Sequence, residues 1–292
     1  MGSRAEGGHS ARSRPDRPEY FIEHMEEDDP DAPDVFPQWA LLEIGFSSFQ
    51  YKHMLALVGP GSTVHFTSLS RASMASLESQ LASSSSNGPA VAAFKLHSDS
   101  VMTVARARGV ELSQICLLDP KAPHALTFRD FRRSEPQEGQ RSDGDVDGPF
   151  DWFLFGGILG DDPPRDRTAS LRELGFPHRH LGGVQMTTDT ALGVTKRVVE
   201  DSFRLGLSDS QVDEEAALKR IGEANPSPKT QTLTWVNQPE LKFGPGESVE
   251  MPFRYMAESP QAGAAGGLSA RPLMPPGMRE LIRKDLDRSF EF

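Results

Sequence analysis

Short apolar runs predict the strands of this chain. YFIEH at 20–24 is strand-like, and STVHFTSL at 62–69 alternates apolar and polar positions as a strand does. SQICLLDP at 113–120 is an unbroken apolar run that ends in aspartate and proline, and DWFLFGG at 151–157 is one that ends in two glycines. Unbroken apolar runs are typical of strands buried on both faces. Strands are predicted at 20–24, 62–69, 113–120, 150–155, 178–180, 231–239 and 249–256.

Other segments have the periodicity or the end signals of helices. PQWALLEIGF at 37–46 begins with a proline suited to a first helical turn, and 99–110 contains Gly109 as a stop signal. The segment 210–222 reads as a short exposed helix, and 275–290 closes the chain as a helix. A further helix has one apolar face at helical spacing, made of Ala191, Leu192, Val194, Val198, Val199 and Phe203.

Buried strands that alternate with helices predict an α/β fold, in which helices flank both faces of a parallel sheet. In such sheets a ligand binds beyond the carboxyl ends of the strands. Three segments follow predicted strands in this way: LLDPKAP at 117–123, FGGILGDDPP at 155–164 and LGGVQMTTDT at 181–190. We therefore expect the functional site to be built from these three loops.

The pattern indicates one domain rather than two. Residues 1–18 carry arginines but no apolar stretch, so we predict a disordered arm and no secretory signal. Residues 19–292 are predicted as a single domain. Segments rich in serine, glycine, proline and charge interrupt it, and they cannot bury enough apolar surface to order themselves. These predicted disordered inserts lie near 79–90, 132–149, 205–231 and 258–272.

Composition and charge restrict the class of partner. Acidic residues outnumber basic ones by 42 to 31, which gives a net charge of −11. This balance disfavours nucleic acid, whose binding depends on lysine and arginine, and favours a basic partner. The single cysteine, Cys116, excludes an internal disulfide and fits a reducing compartment, here the cytoplasm. No run of about 18 apolar residues predicts a membrane span.

The glycine loops do not match the known phosphate-binding patterns. Gly156, Gly157 and Gly160 follow a strand, but their spacing is not that of a dinucleotide-binding loop, and no glycine-lysine-serine/threonine motif is present. Asp161 and Asp162 come next and would repel a phosphate. These features favour a neutral or cationic ligand that resembles a nucleoside. A glycine-rich turn without a ligand is the structural alternative.

Hydrolase motifs are absent, and carboxylates are the most abundant candidate catalytic groups. There is no glycine-x-serine-x-glycine elbow and no histidine-glutamate-x-x-histidine zinc motif. Many acidic residues lie between Glu23 and Asp34. Most of this run reads as a solvated loop, but Glu23 and Glu26 flank a strand end, where the sheet can present them to a ligand.

Five motifs together resemble one family. YFIEHMEE at 20–27, FGGILGDDPPRDRT with LGGVQMTTDTA, VEMPFRY at 249–255 and PPGMRELIRKD at 275–285 are similar to the SPOUT-class protein-arginine methyltransferases of eukaryotes. The resemblance implies a deep C-terminal trefoil knot and methyl transfer from S-adenosylmethionine to an arginine of the third small-subunit ribosomal protein. It also favours a monomer over a homodimer. A SPOUT enzyme that methylates tRNA or rRNA, or an inactive cofactor-binding module, is the alternative.

The resemblance also assigns residues to roles. Its chemistry needs carboxylates that bind a guanidinium and accept a proton, and the candidates are Glu26, Asp161, Asp162, Asp166 and Glu250, with no order among them. It requires no metal. The cofactor-binding residues that it implies are Leu118, Asp119, Pro120, Phe155, Gly156, Gly157, Ile158, Gly160, Leu181, Gly182, Gln185, Met186, Thr187 and Thr188.

Overall fold

A parallel sheet forms the centre of the molecule, as a computed structural model shows. The structure describes residues 15–24, 38–82, 90–131, 148–157, 168–207, 231–258 and 271–289. Six strands pair in parallel in the order β3-β2-β1-β5-β4-β6. Their bounds are β1 Glu19–Glu23, β2 Thr63–Thr67, β3 Ala93–Leu96, β4 Ile115–Leu118, β5 Trp152–Gly156 and β6 His178–Arg179.

Helices cover both faces of this sheet. They are α1 Gln38–Val58, α2 Arg71–Ala82, α3 Val101–Arg108, α4 Ala169–Glu173, α5 Thr188–Val199 and α6 Met278–Ser289. Side chains of β1 alternate between the two faces: Tyr20 and Ile22 pack in one buried cluster with residues of α1, α2 and α5, and Phe21 packs in another with residues of α3 and α4. This arrangement confirms the predicted fold class. The trefoil knot stays a prediction.

Four further strands lie outside the main sheet. β7 (Trp235–Asn237) pairs antiparallel with β10 (Arg254–Met256), and β8 (Glu240–Gly244) pairs antiparallel with β9 (Glu247–Glu250). Met278 and Ile282 of α6 pack against Leu241 of β8 in a small separate cluster. Met186, in the loop after β6, forms an isolated bridge with Arg254, so β10 lies directly against that loop.

Some boundaries differ from those that the sequence predicts. Residues 79–82, assigned to the first insert, belong to α2, and Leu81 is buried. Leu205, assigned to the third insert, is also buried, so ordered structure extends past the predicted insert boundaries at both places. At the predicted arm, Pro18 is buried and the guanidinium of Arg17 donates to the Pro60 carbonyl at 3.2 Å.

Most of the remaining insert residues lie outside the described residues, and so do the predicted helix at 210–222 and most of the arm. Their disorder stays a prediction. In the part of the chain that the structure describes, no helix is long and apolar enough to cross a membrane.

Candidate functional site

Three loops begin at one edge of the sheet because the strands before them are neighbours. β5, β4 and β6 lie side by side in parallel, so their carboxyl ends point the same way. The loop after β4 runs beside β6, since the backbone N–H of Asp119 donates to the Arg179 carbonyl at 2.9 Å and that of Leu126 donates to the His180 carbonyl at 3.0 Å. The segments that the sequence selected as ligand loops therefore begin next to one another.

Gly157, at the start of the loop after β5, contacts the neighbouring strand end closely. A Cβ atom at Gly157 would lie 3.0 Å from the Glu23 carbonyl oxygen and 3.3 Å from the His24 Cα. A side chain here would therefore press on the backbone at the end of β1. Phe155 is buried in the core and Gly156 is its partly exposed neighbour. Ile158, Gly160, Asp161, Asp162 and Asp166 lie outside the described residues.

The end of β1 is fixed by a buried carboxylate. Glu23 accepts hydrogen bonds from the Thr67 hydroxyl, from the Ser68 hydroxyl at 2.7 Å and from the backbone N–H of Val101 at 2.9 Å. Val101 is the first residue of α3, where the helix dipole favours an anion. Glu23 therefore links β1 to β2 and α3, because its carboxylate accepts hydrogen bonds from both neighbours.

His24 continues this anchored strand end. Its Nδ1 donates to the Thr67 carbonyl at 3.1 Å, and its Nε2 accepts from the Tyr51 hydroxyl at 2.7 Å. Burial lowers the pKa of His24 below its ordinary value, which fits this neutral pairing. Glu26, a predicted catalytic residue, follows two positions later and lies outside the described residues. The segment that leads to Glu26 thus starts from His24, whose ring is held by two hydrogen bonds.

Asp119, predicted to bind the cofactor, uses its carboxylate within the protein. One oxygen accepts from Arg172 Nη2 at 2.8 Å, from Thr168 Oγ1 at 3.2 Å and from the Lys121 backbone N–H at 3.0 Å, and the other accepts from Arg172 Nε. Burial raises the pKa of Asp119, but the hydrogen bonds and charge of Arg172 and the Lys121 N–H outweigh burial and leave this pKa below its ordinary value. The Asp119 carboxylate thus joins the loop after β4 to α4, and its predicted contact with a cofactor stays a prediction.

The Asp119–Arg172 pair should contribute strongly to stability. We expect Asp119→Asn to lower the free energy of unfolding by about 2–4 kcal/mol near neutral pH, because it removes the charge of a buried carboxylate that accepts hydrogen bonds from Arg172, Thr168 and Lys121. The pKa of Asp119 is depressed in the folded chain, so this contribution is present above the ordinary carboxyl pKa and is lost as the pH falls through the depressed value. Urea denaturation at neutral and acidic pH measures both effects.

The exposed pair of Lys196 and Asp201, 2.8 Å apart, provides a matched control for that experiment. Asp201→Asn should cost less than about 1 kcal/mol, since a solvated ion pair contributes little. Equal losses in the two variants would contradict the structural role of Asp119.

The loop after β6 has a backbone that only glycine adopts easily. Gly182 has φ +112°, and a Cβ atom there would lie 2.1 Å from Leu207 Cδ1 and 3.2 Å from Arg254 Nη1. Leu181 is buried below it, and Met186 packs against the core. This glycine therefore permits a close approach between the loop and the segments on either side of it.

The same loop continues into α5. The backbone carbonyl of exposed Gln185 accepts from the Arg254 N–H at 2.9 Å. Thr187 occupies the N-cap position and donates its hydroxyl to Thr190 Oγ1 at 2.9 Å, and Thr188 is the first helical residue. Asp189 is buried and lies 2.8 Å from His53 Nδ1 of α1. The loop end is thus tied to α1 and β10.

Arg254 lies between this loop and β7. Its Nε donates to Asn237 Oδ1 at 2.6 Å, and its guanidinium carbon stands 5.3 Å from the centre of the Trp235 ring. Trp235 Nε1 in turn donates to the Leu205 carbonyl at 2.6 Å. Burial lowers the pKa of Arg254, which is only 7% exposed. Arg254 is not among the predicted site residues, although a charged position inside the predicted strand VEMPFRYM is an available signal.

Glu250, the one predicted catalytic carboxylate among the described residues, ends β9 with its side chain exposed. It pairs across the hairpin with Glu240, another exposed acidic residue. The other members of the predicted catalytic set lie outside the described residues, so the role of that set stays a prediction. Within the ranges described, no three histidine, cysteine or acidic side chains form a metal-binding group.

Comparison with known proteins identifies the family. The family model "Protein arginine N-methyltransferase SFM1-like" matches residues 19–289. The chain belongs to the SFM1-like family. This membership confirms the resemblance that the motifs indicate.

The similarity to known members of the SFM1-like family extends over different shares of this chain. Protein arginine N-methyltransferase SFM1 of Saccharomyces cerevisiae is 32% identical over 182 residues, which are 61% of this chain and 62% of that protein. The aligned part thus spans less than two thirds of that relative. The crystal structure of yeast SFM1 complexed with SAM matches with a TM-score of 0.59 and 27% identity, over 92% of this chain and 91% of that one. The complex with SAH matches with a TM-score of 0.57 and 26% identity, over 90% and 94%.

Proposed function

We propose that this chain transfers the methyl group of S-adenosylmethionine to an arginine side chain of a basic protein. Support comes first from the three loops that begin side by side at the carboxyl ends of β5, β4 and β6, in a chain of the SFM1-like family. The yeast SFM1 structures carry SAM or SAH, and a nucleoside-like cofactor fits loops that contain glycines and no phosphate-binding motif.

The protein's own residues must position the two reactants. S-adenosylmethionine supplies a methyl group already activated on a sulfonium, so no metal is needed. A guanidinium nitrogen must lie in line with this methyl at about 3 Å. As the C–N bond forms, the S–C bond breaks and S-adenosylhomocysteine leaves. The nitrogen then gives up a proton to a carboxylate or to water, and Asp161, Asp166 and Glu26 are the candidate acceptors.

We propose the third small-subunit ribosomal protein as the substrate, with the enzyme acting as a monomer in the cytoplasm. The net charge of −11 favours a basic protein and disfavours RNA. Intact-mass analysis of purified small-subunit ribosomal proteins, after incubation with the enzyme and S-adenosylmethionine, tests this directly. We expect one protein to gain the mass of a methyl group. Methylation of tRNA or rRNA in place of every ribosomal protein would instead establish the RNA-modifying alternative.

Salt should weaken the encounter with the protein substrate more than it weakens cofactor binding. Attraction between an acidic enzyme and a basic substrate decreases as the Debye length shortens from about 10 Å at 0.1 M salt. We therefore expect KM for the protein to rise several-fold between low and moderate salt, with kcat and cofactor affinity nearly constant. Steady-state kinetics at fixed cofactor saturation measures this, and a KM that does not respond to salt would argue against electrostatic recognition.

A further inference from the structure

Arg254 is a buried cation that lacks an anionic partner. Its Nε is bound by Asn237, but no carboxylate lies within 4 Å of its guanidinium in the part of the chain that the structure describes. Its two terminal nitrogens have no hydrogen-bond partner among the described residues. Neither terminal nitrogen is among the fully buried atoms that lack a partner, so both reach solvent, where an incoming anion can contact them.

The buried carboxylate of Asp189, in α5, does not pair with Arg254. The Asp189 carboxylate instead lies 2.8 Å from His53 Nδ1 of α1. Arg254 therefore does not use Asp189 as a counter-charge.

The free end of Arg254 faces the loop after β6. Nη1 lies 3.2 Å from the position that a Cβ atom of Gly182 would occupy, beside Leu207 Cδ1, so the guanidinium lies directly against the backbone of this loop. Trp235 supports the guanidinium from another side, and the Asn237 bond fixes its orientation. A planar guanidinium held in this way presents two parallel N–H groups, which match the two oxygens of a carboxylate.

We propose that Arg254 binds the α-carboxylate of the cofactor's methionine moiety, with Asn237 and Trp235 as positioning residues. This inference rests on the proposed function, because it takes S-adenosylmethionine as the cofactor. That molecule carries one carboxylate and no phosphate, so the carboxylate is the anion available to a cation beside the loop. Asn237 and Trp235 act through Arg254 and do not touch the cofactor.

Ligands with and without the carboxylate show whether Arg254 binds that group or only maintains the structure of the site. S-adenosylmethionine and S-adenosylhomocysteine carry the amino-acid group, and 5′-methylthioadenosine lacks it. By isothermal calorimetry, Arg254→Gln should weaken the first two about 10- to 100-fold, the loss expected for a charged hydrogen-bonded pair. Its affinity for 5′-methylthioadenosine should match that of the unmodified protein. Arg106→Gln, at an exposed position of α3, is the control and should change none of the three affinities.

If Arg254→Gln folds poorly, a second variant still tests the proposal. Asn237→Ala leaves the charge in place but frees the guanidinium to rotate, so we expect a loss of a few-fold that is again confined to the two ligands with a carboxylate. Equal weakening of all three ligands in both variants, or no weakening of any, would overturn the role of Arg254. If the unmodified protein bound none of the three, the proposed function itself would fail instead.

Discussion

Gly182→Val should weaken cofactor binding at least 100-fold and lower the free energy of unfolding by about 2–4 kcal/mol. The new Cβ would lie 2.1 Å from Leu207 Cδ1, and the φ of +112° is strained for a branched side chain. The loop after β6 must move away from Leu207 and Arg254 to remove the clash and the backbone strain. Because the predicted cofactor residues from Leu181 to Thr188 share this loop, its displacement should reach all of them. Calorimetry with S-adenosylhomocysteine and urea denaturation measure the two effects.

The next residue supplies a matched control for this glycine. Gly183 is exposed, has no positive φ, and a Cβ atom there would meet nothing within 4 Å. Gly183→Ala should therefore bind S-adenosylhomocysteine as the unmodified protein does and unfold at the same urea concentration. Similar losses in the two variants would mean that the loop tolerates no side chain at all, and that the contact with Leu207 is not the cause.

The central sheet could be predicted because most of its strands are buried on both faces. Runs such as ICLL in β4 and WFLFG in β5 are apolar throughout, and this pattern belongs to parallel sheets with helices on each side. β3 was missed because it lies at the sheet edge, and its sequence AFKL is short and partly exposed. α2 was missed because its sequence is rich in serine and only Leu77 and Leu81 are buried. Tertiary packing, and not local propensity, decides such elements.

The three loops of the site were predictable from their position after strands, but the roles of individual side chains were not. Asp119 looks like a ligand residue in LLDP, yet its carboxylate is bound by Arg172, which lies 53 positions further along the chain. The Glu23 carboxylate likewise accepts hydrogen bonds from the Ser68 hydroxyl and the Val101 N–H. Pairings between distant positions depend on the fold, so a sequence pattern can indicate that a carboxylate is important without showing which group it binds.

The candidate catalytic carboxylates should differ in effect. Asp161→Asn should lower kcat/KM for the protein substrate by a factor of roughly 10² to 10⁴, because the amide keeps the shape of the side chain but loses the charge that orients the guanidinium and accepts its proton. Glu250→Gln should have a smaller effect, since its exposed carboxylate at the end of β9 is well solvated and an ion pair in water is weak.

Affinity for S-adenosylhomocysteine should stay unchanged in both variants, which separates catalysis from cofactor binding. Single-turnover methylation at saturating cofactor measures the chemical step. Normal turnover by Asp161→Asn would remove this residue from the catalytic set, and a loss confined to Glu250→Gln would place the guanidinium beside the β8–β9 hairpin instead.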